Sequence, residues 1–378
     1  QGITGSQGIQ GRQGTTGSQG IQGIQGKTGT DGNQGIQGRQ GTTGTQGIQG
    51  ITGNTNSFTY NATVWVDPNG SNSLGLVGRI DKPFLTIQQA KTSANAAGLV
   101  EFTIIVFPGN YTEGNIGIDS SNDITIKCVG RVKITHSGGT NMFNLGEGSS
   151  LAVIGDGKQN YFSSPQANTG ARLEHTGSGY IFSVDDESCT LHVKNISITS
   201  MYTGGLGGYS IVMKAAGQRL IIDGCMIAGN GGQTYNVDLQ AAAMTDFKFS
   251  YRDSFFFQNT SDMNVRMDPS GSGSTFDVKG EVQNCTFVML NENPGYAHFD
   301  SRSPNNDGIR MTWSNNIFYS ANETTYMWRD AGPAKAGIDV IAAIIGSSDT
   351  FSGGILNYTS NLVSGNNNII NPFDYFIG

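Results

Sequence analysis

The chain is 378 residues long, with a net charge of −7, only 13% charged residues and 56 glycines. Such a composition, rich also in Asn, Ser and Thr, fits a hydrogen-bonded β scaffold with polar loops and excludes a charged helical bundle. Residues 1–53 carry Arg12, Lys27 and Arg39 against Asp31, which leaves about −9 on the rest and no basic run, so charge argues against nucleic acid as a partner.

From Gly2 to Gly53 every third residue is glycine, 18 in all without interruption. Only hydrogen fits where three polyproline-II-like backbones meet on an axis, so this period specifies a triple helix. A flexible Gly-rich linker would have no need of it. The expectation is therefore a homotrimer, or a larger assembly of trimers, joined through Gly2, Gly5, Gly8, Gly35, Gly53 and the glycines between them. At about 3 Å per residue the stalk would span on the order of 150 Å. It holds no proline; the position after glycine is often Ile (Ile3, Ile9, Ile21, Ile24), and the next is nearly always Gln or Thr. Gly-Ile-Gln-Gly-Arg-Gln-Gly-Thr-Thr-Gly begins at Gly8 and again at Gly35, a duplication. Residues 1–53 resemble the Gly-Ile-Gln collagen-like stalks of bacteriophage fibres, giant-virus fibrils and some bacterial surface or spore filaments. The resemblance implies an extracellular or virion-surface appendage.

After a hinge at 54–63, Thr63 to Val66 alternates as a strand and ends in the turn Asp67-Pro68-Asn69-Gly70. Phe84, Ile87, Ala90, Ala94 and Ala97 then fall at helical spacing, with Pro83 at the start and Gly98 as the stop. Phe102 to Phe107 is a strand leading into Pro108-Gly109-Asn110-Tyr111. This order over residues 60–113 is similar to the opening of the pectin-lyase-like right-handed parallel β-helix, in which the helix plugs the first coil.

Further on, five short stretches line up: those starting at Asn195, Gly224, Asp253, Asn284 and Asn315, at spacings of 29, 29, 31 and 31 residues. One coil of a solenoid cannot bury its apolar face alone, but a stack of coils shares a continuous core. The recurring Asn, Asp or Gly suits a tight turn in the left-handed region, and the Phe, Ile and Met that follow suit an internal column. Cys225 and Cys285 share one slot of the repeat, so the four cysteines are expected to be small core residues and not disulfides; their spacing fits no metal site. The fold expected is all-β: a right-handed parallel β-helix of about eight to ten coils, preceded by a collagen triple-helix stalk. Its divisions are 1–53 stalk, 54–63 hinge, 64–98 strand and capping helix, 99–334 coils, and 335–378 C-terminal cap and tail. Within the tail, Phe373, Tyr375, Phe376 and Ile377 either cap the last coil or pair with a neighbouring chain.

Enzymes of this fold place carboxylates on successive coils. Asp185-Asp186-Glu187 is the only dense acidic cluster, and Asp185 and Asp186 are the candidate catalytic pair. The Gly-His-Gly and Arg-Ile-Lys motifs of the family hydrolases are missing, and the expectation is that the chain is not an enzyme. Glycan binding is preferred, through Tyr326, Trp328 and Arg329 in a loop from Asn322 to Asp330, where aromatic faces and a guanidinium suit a sugar. No cofactor and no metal are implied, and no apolar run is long enough to span a membrane. The expected function is a structural and adhesive trimeric fibre of a virion that contacts cell-surface carbohydrate. The alternatives are a bacterial or spore surface filament, and a polysaccharide-degrading tailspike using Asp185 and Asp186.

Overall fold

The computed structural model describes residues 62–157, 170–202, 209–229, 235–240, 245–258, 263–267, 278–289, 297–301, 309–320, 326–330, 348–351, 354–359 and 362–365. The chain divides into two units, Gln1–Phe58 and Thr59–Gly378; the described residues all belong to the second. The stalk glycines and the tail residues Phe373, Tyr375, Phe376 and Ile377 lie outside the described residues.

The second unit is a parallel β-helix. One coil illustrates the rest: Glu101–Val106 lies in a first sheet, Gly109–Thr112 in a second and Ile116–Ile118 in a third. The next strand, Asp123–Cys128, then returns to pair in parallel with Glu101–Val106, Phe102 opposite Ile124 and Ile104 opposite Ile126. The pattern continues through Ile309–Ser314, Ile317–Ser320 and Tyr326–Asp330, so eight consecutive strand triplets are described. Beyond them Gly354–Thr359 and Leu362–Gly365 extend the first and second sheets, and Ser348–Phe351 pairs antiparallel with Gly354–Thr359.

In-register parallel pairing stacks like on like. In the first sheet Ile104, Ile126, Val153, Val193, Ile222, Tyr251, Val282 and Trp313 form one internal column, every member fully buried. In the second sheet Leu173, Ile198, Ile227, Phe256 and Phe287 form another. Met226 stands in the outward place beside that column, so methionine does not join it as the sequence pattern suggests. Burying each large apolar side chain contributes about 1.5–3 kcal/mol, and the column as a whole holds the coils together.

The turn ladder is as expected. Asn195, Asp253, Asn284 and Asn315 adopt φ of 53°, 48°, 54° and 55°, and Gly224 φ of 63°. Asn and Asp tolerate this region because their short polar side chains can bond locally. Asn284 Nδ2 donates to Asp253 Oδ1 at 3.1 Å, which links one coil to the next. The slot after the turn holds Cys225 and Cys285, both buried and unpaired, as are Cys128 and Cys189.

The first end is capped by a helix, Ile87–Ala96. Thr86 is its N-cap and accepts a hydrogen bond from Gln89 N–H, while Ile87, Ala90 and Ala94 face the core. Glu113 reaches across from the first coil, and its carboxylate accepts from Ile87 N–H at 2.7 Å and Gln88 N–H at 3.3 Å. A negative group at a helix N-terminus complements its free N–H groups. Burial nonetheless pushes the Glu113 carboxyl above its ordinary value.

Candidate functional site

The outer surfaces of the three sheets differ in chemistry. On the first, charged residues of adjacent coils pair across the surface, as Lys194 with Asp223 at 2.6 Å and Arg252 with Glu281 at 2.6 Å. Such solvated pairs contribute little and read as ordinary surface. The third sheet is different, because aromatic rings, amides and ions gather on one side of it.

The aromatic part comes from the residues just before its strands. Tyr180 precedes Phe182–Val184, Tyr209 precedes Ile211–Met213, and Tyr235 begins Tyr235–Leu239. Tyr180 and Tyr209 stack with ring centres 5.3 Å apart, and Tyr209 and Tyr235 are 5.1 Å apart. With Val212 they form a small apolar cluster separate from the main core. Offset stacking of this kind makes a rigid platform.

Two cations are set on it. Arg266 Cζ lies 4.2 Å from the centre of the Tyr235 ring and 5.8 Å from that of Tyr209. Its guanidinium donates to both carboxylate oxygens of the buried Asp238, from Nε to Oδ1 at 2.8 Å and from Nη2 to Oδ2 at 2.5 Å. Burial opposes the charge on Arg266, but the hydrogen bonds and attraction of Asp238 more than offset it and hold the guanidinium above its ordinary value. Tyr209 is pushed up to about 12, by burial first and by Asp238 second, so its hydroxyl stays protonated at neutral pH. Lys214 Nζ lies 5.2 Å from the centre of the Tyr180 ring and 2.8 Å from Asp185 Oδ1.

The accessible edge of the platform is at Tyr180. Tyr209 and Tyr235 are almost buried, whereas Tyr180 is half-buried, Lys214 is 31% exposed and Asp185 49%. Asparagines continue this edge: Tyr180 N–H donates to Asn141 Oδ1 at 3.0 Å, Asn141 Nδ2 donates to Asn144 Oδ1 at 2.7 Å, and Asn144 Nδ2 donates to Asn115 Oδ1. A ring face, amide groups and an ion pair side by side can stack against a pyranose and exchange hydrogen bonds with its hydroxyls.

The residues singled out in the sequence meet this surface in part. Asp185 lies on it, held also by Ser183 Oγ at 3.0 Å. Asp186 is exposed on the same turn, and its carbonyl accepts from the Gln218 side chain at 2.7 Å. Tyr326, Trp328 and Arg329 are not in a loop: they occupy the strand Tyr326–Asp330 at the far end of the same third sheet. The register puts Arg329 opposite Asp300, Asp300 opposite Arg266 and Arg266 opposite Asp238, one column of alternating charge positions. A strand was unexpected there because Asn322 to Thr325 signals a turn while the next residues lack alternation. His192 sits on the outward side of Thr190–Lys194, between Ala152 and Ile221. Sequence reasoning missed the tyrosines, although Tyr180 and Tyr209 stand 29 residues apart, the spacing of the turn ladder. Among the described residues no His, Cys, Asp or Glu cluster is arranged to hold a metal, and no helix is long and apolar enough to cross a membrane.

Comparison with known proteins matches residues 1–57 to the family described as collagen triple helix repeat (20 copies). The N-terminal segment is thus a collagen-like repeat, joined to a parallel β-helix. No curated protein matches the chain. Among solved structures it is similar to the tailspike protein gp49 of Acinetobacter baumannii bacteriophage Fri1, described as a capsular polysaccharide depolymerase. The two are 10% identical with a TM-score of 0.34, over 82% of this chain and 64% of that one. It is also similar to the pectin methylesterase of Aspergillus niger, 13% identical with a TM-score of 0.35, over 81% of this chain and 87% of that one. The chain therefore spans somewhat less than two thirds of the tailspike.

One expectation is corrected by these findings. The missing Gly-His-Gly and Arg-Ile-Lys motifs suggested that the chain is not an enzyme, yet both solved structures are enzymes by description. Missing motifs exclude only the hydrolases that carry them, and the exclusion of catalysis is withdrawn.

Proposed function

We propose that the chain is an appendage fibre of a virion: three copies joined through the triplet stalk, each presenting a β-helix head that binds surface glycans. The glycan lies along the outer side of the third sheet, with Tyr180 as stacking platform and Lys214, Asp185, Asn141 and Asn144 as polar contacts. Tyr326 and Arg329, whose register columns run back to Tyr235 and Arg266, extend the same track toward the last coils, whereas Trp328 is the register partner of the fully buried Phe299 and is left out of it. The observation that carries this reading is the Tyr180–Lys214–Asp185 grouping on a stiff solenoid that follows an 18-glycine triplet repeat. Stiff stalks place a binding surface far from its anchor, and three copies bind a repetitive polysaccharide with avidity.

The test uses full-length protein against capsular and cell-wall polysaccharides, with binding measured by biolayer interferometry and released reducing ends measured in the same samples. Tyr180→Ala and Lys214→Ala should each weaken binding at least 10-fold, and Arg329→Ala should weaken binding to long chains more than to short oligosaccharides. Binding that survives all three substitutions overturns the assignment of this surface. Release of reducing ends that disappears in Asp185→Asn would add cleavage to binding. Cryo-EM of native material separates discrete virion fibres from a continuous surface filament.

A further inference from the structure

Six large hydrophobic side chains of the described residues are exposed, and five of them fall between residues 74 and 100. Leu74 is 71% exposed, Leu76 46%, Ile80 51%, Leu85 41% and Val100 62%. Scattered exposed leucines need no explanation, but a concentration in one short segment asks for one.

The loop that carries the first three is well tied down. Ser71 N–H donates to Pro83 O, Leu76 N–H to Lys82 O and Gly78 N–H to Thr63 O. Asn72 Oδ1 accepts from both Leu85 and Thr86 N–H, at 3.0 and 3.1 Å. Val77 and Phe84 anchor the loop to the core. Its apolar side chains are thus held in water by a fixed backbone, and little ordering entropy remains to be lost on contact.

The sequence supplies a reason for such a contact. A strict glycine triplet fixes which residues face the axis but not the axial register, because a slip of one triplet returns glycine to the same place. The duplication at Gly8 and Gly35 gives those two stretches a matching partner in a slipped register as well. Register must therefore be set outside the stalk. The last triplet ends at Thr55 and the first strand of the head begins at Thr63. Eight residues reach at most about 29 Å, so three copies leaving one triple helix begin their heads close together.

We propose that the loop from Ser71 to Leu85 is the contact by which copies of this chain recognise one another, with Leu74, Leu76, Ile80 and Leu85 of one copy packing on the same loop of its neighbours. The loops meet around a three-fold axis, so the contact closes at three. It fixes the register that the triplets leave open. The inference rests on the three-chain reading of the stalk given above.

The test is site-directed crosslinking of the full-length chain. The four native cysteines are buried and unpaired, so background is low. Leu74→Cys and Ile80→Cys are oxidised with copper-phenanthroline beside Lys279→Cys, a control on the exposed outer side of the first sheet. Native mass spectrometry of the unmodified chain runs in parallel. A trimer in which Leu74→Cys or Ile80→Cys forms chain-to-chain disulfides at least 10-fold faster than Lys279→Cys supports the proposal. A trimer in which neither outpaces the control overturns this contact and leaves the three-chain stalk standing. A monomer overturns both.

Discussion

The ring of Phe249 occupies the space in which a side chain at Gly280 would stand: a Cβ there would lie 2.3 Å from Phe249 Cζ. The two residues are register partners on adjacent strands of the first sheet, and Phe249 is buried. Its ring cannot swing away, because Phe247 and Tyr251 flank it with ring centres at 6.3 and 4.8 Å. Gly280→Ala should therefore destabilise the head by about 1–3 kcal/mol through overpacking. Phe249→Leu in the same chain should return part of that loss, and thermal unfolding of the single and double variants measures it.

Two residues along the same strand, Tyr251 presents the opposite situation. Its side chain is fully buried between Phe249 and Phe256, and its hydroxyl has no hydrogen-bond partner among the described residues. An unsatisfied buried hydroxyl costs about 1–3 kcal/mol. Tyr251→Phe keeps the ring and removes that cost, so it should leave the melting temperature unchanged or raise it. A fall would show that the hydroxyl is satisfied.

How much of this was legible in the sequence depends on what each residue repeats. The coils were visible because Asn195, Gly224, Asp253, Asn284 and Asn315 recur where the backbone must turn left-handed, and few residues tolerate that. The stalk was visible because the glycine rule admits no exception. The aromatic surface was hidden for the converse reason. Tyr180 and Tyr209 stand just before their strands and Tyr235 at the first position of its own, and the cations set on them, Lys214 on Tyr180 and Arg266 on Tyr209 and Tyr235, come from other coils. Only the register of the third sheet brings these positions together, and no local pattern encodes it.

The left-handed turns yield a graded prediction. Asn284 pays the strain of φ 54° but bonds Asp253 through its side chain. Asn284→Gly removes strain and bond together and should shift stability by under about 1 kcal/mol. Asn284→Ala keeps the strain and loses the bond, and should cost about 1–2 kcal/mol. Equal effects of the two substitutions in urea unfolding would contradict this account.

The thiols should be inert. Burial pushes Cys128, Cys225 and Cys285 up to about 12, and the Cys225 and Cys285 backbone N–H groups are held by Ser254 Oγ and Asn316 Oδ1 of the following coil. Only the thiolate reacts, so iodoacetamide at pH 8 should label none of these three in the folded protein and all of them in denaturant. Rapid labelling of native Cys225 would mean that this part of the solenoid opens locally.

Acid should weaken the head before it reaches the carboxylate range. His175 is fully buried, with Nδ1 3.0 Å from Gly177 O and Nε2 3.0 Å from Thr140 O, and the His136 ring centre lies 4.9 Å away. The two carbonyls favour the charged ring, but burial outweighs them, helped by the neighbouring His136, and holds His175 below the ordinary histidine value. His192 is held down for the same reason, burial, although Asp223 opposes it. In this window the unfolded chain binds more protons than the folded one. The stability these groups contribute is thus complete above about pH 6.5 and is lost as pH falls through it. Glu113 has the opposite sign: its raised value makes the folded state favour the protonated carboxyl, so its contribution declines as pH rises through the carboxylate range. The melting temperature of the full-length protein should therefore fall between pH 7 and pH 5. His175→Gln should flatten that slope more than His192→Gln, because His192 is only half-buried, and Glu113→Gln, which removes a group of the opposite sign, should not flatten it. An unchanged slope in His175→Gln would place the acid-sensitive group elsewhere in the chain.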